Sequence, residues 1–197
     1  MARIHQLKDV DMDNGYWGFC TSIWFNGCVH ECKGCWNSET WAVNDSLYVP
    51  NEEIIEKTVE YLDNYFPKDL SILGGDPLAP FNVDDTYEIL SGILEKRPQT
   101  RVVCWTGYIY EALIKHGWAD KILPMIDILI DGRYIEKLHV EGKPYGSSNQ
   151  RVIRLKDSLK KGKIILDEQK TWIYFHVFCF ISWLIFILAL ECIYWMI

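Results

Sequence analysis

The sequence predicts an α/β fold built on a mostly parallel sheet. Two observations predict it. Four short apolar runs, Cys20 to Phe25, Leu70 to Leu73, Val102 to Trp105 and Ile126 to Ile130, have strand length and composition. Between them lie segments with helical spacing, and strands that alternate with helices favour parallel pairing.

In chain order, Cys20 to Phe25 reads as the first strand, followed by a long loop, Asn26 to Asn44, rich in Gly, Cys, Asn and Trp. Pro50-Asn51-Glu52-Glu53 marks a helix start, with acids in the first turn and Ile54, Ile55, Val59 and Leu62 on one face; the helix is expected to end near Asn64. Leu70 to Leu73 is a strand stopped by Gly74-Gly75. Val83, Tyr87, Leu90 and Leu94 recur with helical spacing. Val102 to Trp105 and Ile126 to Ile130 complete the strands, with a helix expected within Tyr108 to His116. Each strand runs into punctuation: the cysteine loop, Gly74-Gly75-Asp76-Pro77, Trp105-Thr106-Gly107-Tyr108 and Asp131-Gly132. Ligands of parallel sheets bind at the carboxyl ends of strands, so these loops are expected to face one cavity.

The chain has 197 residues, 49% of them hydrophobic, which suits one catalytic domain over residues 1–155. A formal charge of -7 offers no broad basic surface, so nucleic acid is not expected as a partner. Three of the seven cysteines crowd into Cys28 to Cys35, and Met1 to Gln6 is polar, without the apolar run of a signal peptide. A reducing, cytoplasmic setting follows, in which clustered thiols bind metal.

The C-terminal end differs. A Lys-rich connector spans 156–170, and residues 171–197 are strongly apolar, with no charged residue from Thr171 to Leu190. Three readings stand: a membrane anchor that keeps the domain on the cytoplasmic side, an aberrant extension, or a buried helix.

Cys28-Val29-His30-Glu31-Cys32-Lys33-Gly34-Cys35-Trp36 places three thiols within eight residues. Cysteine thiolates are the usual ligands of iron-sulfur clusters. With three protein ligands, a 4Fe-4S cluster keeps one iron open to a small molecule. The alternative is a zinc-binding module in which His30 or a distant cysteine completes the site. The gaps of three and two residues, without a second cysteine pair, fit zinc less well.

Cys-x-x-x-Cys-x-x-Cys, a following aromatic and a Gly-Gly-Asp-Pro together resemble the radical S-adenosylmethionine superfamily. The resemblance implies an incomplete, open parallel β/α barrel. It also implies a 4Fe-4S cluster on Cys28, Cys32 and Cys35, and reductive cleavage of S-adenosylmethionine to methionine and a 5'-deoxyadenosyl radical. The backbone of Gly34, Cys35 and Trp36 is then expected to border the cofactor, and Gly75 to contact its amino group.

From about Val10 to Ile153 the chain is similar, within that superfamily, to activating proteins of anaerobic ribonucleoside-triphosphate reductase. The motifs that carry this are Gly27 to Cys32, Cys35-Trp36-Asn37, Thr40-Trp41, Gly74 to Leu78, Trp105 to Tyr108, Asp131-Gly132 and Gly146 to Arg151. The implied partners are the large subunit of anaerobic ribonucleotide reductase, which receives a glycyl radical, and reduced flavodoxin or a similar electron donor. Other radical enzymes, acting on a different glycyl-radical protein or forming a deazapurine, are the nearest alternatives. Asn14 to Cys20 departs from the family's Asn-Gly-x-Gly-x-Arg, with Cys20 in the arginine's place.

Among the remaining candidates, Cys104, Cys179 and Cys192 are assigned no chemistry, and Asp76 is expected to hydrogen-bond rather than act as a base. Thr106 and Tyr108 either line the cofactor pocket or form a packed turn. Ser147, Ser148 and Asn149 either meet the reductase or lie in a solvated loop.

Overall fold

The computed structural model describes residues 1–64, 66 and 68–167. They form one compact unit, Met1–Asp167. Seven strands make one sheet in the order β3-β1-β2-β4-β5-β6-β7. The centre is parallel, as the alternating pattern predicts: β2 (Cys20–Phe25), β4 (Asp69–Gly74), β5 (Val102–Trp105) and β6 (Ile128–Asp131) run side by side in one direction. Antiparallel strands flank it. They are β1 (Ala2–Asp11) and β3 (Tyr48–Val49) on one side, and β7 (Arg151–Arg154) on the other.

Helices α1 (Asn51–Asp63) and α2 (Val83–Lys96) follow the predicted spans closely, each with acids in its first turn. Helix α3 (Tyr110–His116) starts two residues inside the expected stretch and ends at Gly117, which takes the left-handed conformation. Residues of the Lys-rich segment form part of helix α4 (Leu155–Lys161). Beyond it the chain returns to the sheet, where Arg154 N–H donates to Ile165 O and Asp167 N–H to Val152 O, at 2.9 and 2.8 Å.

Alternation along the strands divides the core. Ile23, Phe25, Leu70, Ile72, Val102 and Cys104 face the helices and pack with Ile54, Ile89, Leu90, Ile93 and Leu113. Val103, Ile130 and Val152 point the other way, with Tyr16, Trp105 and Tyr145 against them. On β2 and β4 that second face also holds buried hydroxyls, Ser22 and Ser71. Ser22 Oγ donates to Asp11 at 2.7 Å, Trp24 Nε1 donates to Ser22 Oγ at 2.9 Å, and Ser71 Oγ donates to Asn14 O at 2.7 Å. Burial would raise the Asp11 carboxyl, but hydrogen bonds from Ser22 and Asn14 outweigh it and hold it below the usual range.

Among the described residues no helix is long and apolar enough to cross a membrane. The apolar segment 171–197, with its anchor, aberrant-extension and buried-helix readings, lies outside the described residues.

Truncating the centre of this core is expected to be costly. Ile72→Ala should lower the unfolding free energy by about 2–5 kcal/mol, while Ile114→Ala on exposed α3 surface should stay within about 0.5 kcal/mol. Denaturant unfolding of the two variants checks the pair.

Candidate functional site

Because β2, β4, β5 and β6 are parallel, their carboxyl ends share one edge, and the punctuated loops emerge there together. Phe25 at the end of β2 pairs with Gly74 at the end of β4, and Trp105 of β5 pairs with Ile130 of β6. The loops then touch directly. Gly75 N–H donates to Phe25 O at 2.8 Å and Asp76 N–H to Gly27 O at 2.9 Å. A Cβ on Gly75 would stand 2.4 Å from Gly27 O, so only glycine permits this approach.

Asp76 is fully buried and joins three loops through its carboxylate. Oδ1 accepts from Leu78 N–H at 3.0 Å and from Thr106 Oγ1 at 2.9 Å. Oδ2 accepts from Gly107 N–H at 3.0 Å and lies 2.9 Å from His30 Nε2. Asn82 Nδ2, at the start of α2, adds donors to Asn26 O and Asp76 O at 3.2 and 3.0 Å. The expected hydrogen-bonding role of Asp76 is therefore seen, and Thr106 is spent on it. Tyr108 packs edge-on to His30, centroids 4.5 Å apart, and also against Trp118.

The cysteine loop rises from this base. Cys28, Cys32 and Cys35 are all free thiols, partly exposed. Cys35 N–H donates to Cys32 O at 2.9 Å, and Asn37 N–H points to Cys35 Sγ at 3.4 Å. The Cys28 thiol is pushed up to about 11, chiefly by burial, with the Asp76 charge adding to it and backbone donors of His30 and Glu31 opposing. Its protonated form therefore prevails at neutral pH, and metal loading must displace that proton.

Segment 133–139 lies against the loop. Arg133 donates to His30 O, Lys33 Nζ sits 3.4 Å from Glu136, Glu136 packs on Gly34, and the Trp36 and His139 rings are 5.4 Å apart. Trp36 is the most exposed large apolar residue described, at 74%.

The Gly146 to Arg151 motif turns out to be internal fastening. Gln150 Oε1 accepts from the N–H groups of Gly146 and Ser147 at 2.9 and 3.1 Å, while its Nε2 donates to Gly132 O at 2.9 Å. Ser147 is buried, with Oγ accepting from Ile135 N–H, and Asn149 Nδ2 donates to Arg133 O. Of the three residues read as either reductase contacts or a solvated loop, Ser148 alone is exposed with no side-chain bond of this kind. Arg151 binds both Asp131 and Glu111, and this arginine holds the Glu111 carboxyl at about 2.

Residues 14–153 match the 4Fe-4S single cluster domain family. The anaerobic ribonucleoside-triphosphate reductase-activating protein of Vibrio cholerae is 34% identical over 153 residues, covering 76% of this chain and 96% of the relative. That of Escherichia coli K12 is 34% identical over 156 residues, 77% of this chain and 98% of the relative. The protein of that name from Enterobacteria phage T4 is 31% identical over 148 residues, 75% of this chain and 90% of the relative.

The chain belongs to the anaerobic ribonucleoside-triphosphate reductase-activating protein family.

The 4Fe-4S cluster named by the family description fits the donors that this chain offers. Three free thiols stand on one short loop, with N–H groups aimed at sulfur. Among the described residues no three His, Cys, Asp or Glu side chains converge as a single ion requires. A cubane does not ask for that, since its cysteines bind separate irons. His30 Nε2 faces the Asp76 carboxylate, so Nδ1 is the ring nitrogen that the zinc alternative would use.

Cys20, read from the sequence as standing at the position of an arginine, has a fully buried thiol, 3.5 Å from Asp11 O, and burial pushes it up to about 12. It is a small apolar residue of the sheet and supplies no charge there.

Two outcomes are expected. Gly75→Ala should destabilise the chain by about 1–3 kcal/mol, seen as a lower melting temperature, because backbone rather than a flexible side chain stands in the way. Glu111→Gln should cost at most about 1 kcal/mol at pH 7, since the pair is half exposed. A depressed carboxyl stabilises above its unfolded value of 4.5, so the difference from wild type should shrink as pH falls from there towards about 2. Melting curves across that range check it.

Proposed function

We propose that this protein activates anaerobic ribonucleotide reductase by generating a glycyl radical on its large subunit. In this reading Cys28, Cys32 and Cys35 ligate the 4Fe-4S cluster and S-adenosylmethionine is the cosubstrate. The observation that carries the proposal is the loop of three free thiols, anchored through His30 to the buried Asp76, in a chain of this family. The central strands β2, β4, β5 and β6 are then the parallel part of an incomplete, open barrel.

The cluster, when bound, supplies the electron that divides S-adenosylmethionine into methionine and a 5'-deoxyadenosyl radical. The electron originates with reduced flavodoxin or a similar donor.

The chain's own residues do the placing. Gly34, Cys35 and Trp36 border the cosubstrate with their backbone. Gly75 has already committed its N–H to Phe25 O, so its carbonyl is the group that meets an amino donor. A radical of this reactivity must be made beside its target and away from water. Exposed Val29, Trp36, Ile135 and Leu138, on the cysteine loop and the segment against it, offer an apolar rim to a protein loop bearing the target glycine.

The test is anaerobic reconstitution of the full chain with iron and sulfide, then dithionite and S-adenosylmethionine. About four irons per chain and formation of 5'-deoxyadenosine are expected, and added reductase should gain a glycyl radical signal. Cys32→Ala should keep the melting temperature of the cluster-free chain and reduce 5'-deoxyadenosine to background. Bound zinc with no cleavage, or full cleavage by Cys32→Ala, would contradict the assignment.

A further inference from the structure

His30 stands midway between Cys28 and Cys32, and both its ring and its carbonyl are held. Its Nε2 is 2.9 Å from the buried Asp76 carboxylate, and its side chain is 10% exposed. Its ring lies against Gly107 so closely that a Cβ there would fall 2.1 Å from Cδ2. The Tyr108 ring packs edge-on with it, centroids 4.5 Å apart, and Arg133 binds the His30 carbonyl. Immediately afterwards the chain turns at Glu31, which has φ of 43°, alone among the described non-glycine residues in being positive. Such a backbone persists where its surroundings over-determine it.

A histidine on a surface loop gains little from this degree of restraint. Here the restraint acts on the three residues that separate two thiols. We propose that His30 is a positioning residue: by anchoring the span between Cys28 and Cys32 to Asp76 and Gly107, it holds those two thiols at their spacing before any cluster arrives. The proposal rests on the reading that these cysteines are ligands, but its first arm does not. Pre-organisation of this kind reduces the ordering that binding must otherwise supply.

Three variants of the full chain separate positioning from plain stability. His30→Leu removes the donor, His30→Gln retains one, and Gly107→Ala keeps the Asp76 hydrogen bond from residue 107 while expelling the ring. In the cluster-free chain, iodoacetamide labelling followed by mass spectrometry reads each cysteine separately. His30→Leu and Gly107→Ala are expected to accelerate labelling of Cys28 and Cys32 about tenfold, the order set by losing a hydrogen bond to a charged group. Buried Cys20 and Cys104 should stay protected, and His30→Gln should return towards wild type. After reconstitution, the reduced cluster of His30→Leu should give an altered electron paramagnetic resonance spectrum. Wild-type labelling rates in His30→Leu would overturn the proposal, as would equal acceleration at Cys20 and Cys104, which signals general loosening. A wild-type chain that takes up no iron would instead refute the cluster reading, while the labelling arm still decides the role of His30.

Discussion

A buried carboxylate with no partner is expensive, and Asp76 has four donors drawn from three different loops. The arrangement at the strand ends depends on this. Leu78 N–H comes from the turn that carries Asp76, Thr106 and Gly107 come from the turn after β5, and His30 comes from the cysteine loop. Each loop alone is short of apolar burial and would be among the first parts of the chain to open. Tied to one charge, they share a single geometry.

Two close approaches make that geometry available. Gly75 lets the β4 turn sit on the backbone of Gly27, and Gly107 leaves the His30 ring the space that any side chain would take. The parallel register supplies the rest, since Phe25 and Gly74 end level with each other. The Asp131, Arg151 and Gln150 contacts fasten the excursion after β6 in the same way, so that its residues 133–139 reach back over the cysteine loop. Sheet, turns and loop thus form one support for the three partly exposed thiols.

Much of this was legible in the sequence where one physical signal dominated. The apolar runs of β2, β4, β5 and β6 stand out because strands buried on both faces lose the polar alternation of an exposed sheet. Helices α1 and α2 show their buried faces plainly. Strand β1 does not, because irregular pairing between Ile4 and Gln6, and again between Lys8 and Asp11, breaks the period of two on which recognition rests. Strands β3 and β7 are too short to show a period, and α4 hides in a segment whose lysines suggest a linker. At the site, cysteine spacing and the Gly-Gly-Asp-Pro turn could be found from sequence. The pairing of Asp76 with His30 could not, since 46 positions separate them and either residue alone has an ordinary explanation. The same holds for Ser147, read as a reductase contact or part of a solvated loop, whose side chain is consumed within the fold.

The central claim is that Asp76 couples the three loops, and amide hydrogen exchange of wild type against Asp76→Asn and Asp76→Ala tests it most directly. The account predicts that amides of residues 27–36, 76–79 and 106–109 lose protection together, while the interiors of β2, β4 and β5 keep theirs. Faster exchange confined to the turn that carries residue 76, with the cysteine loop and the β5 turn unchanged, would contradict it.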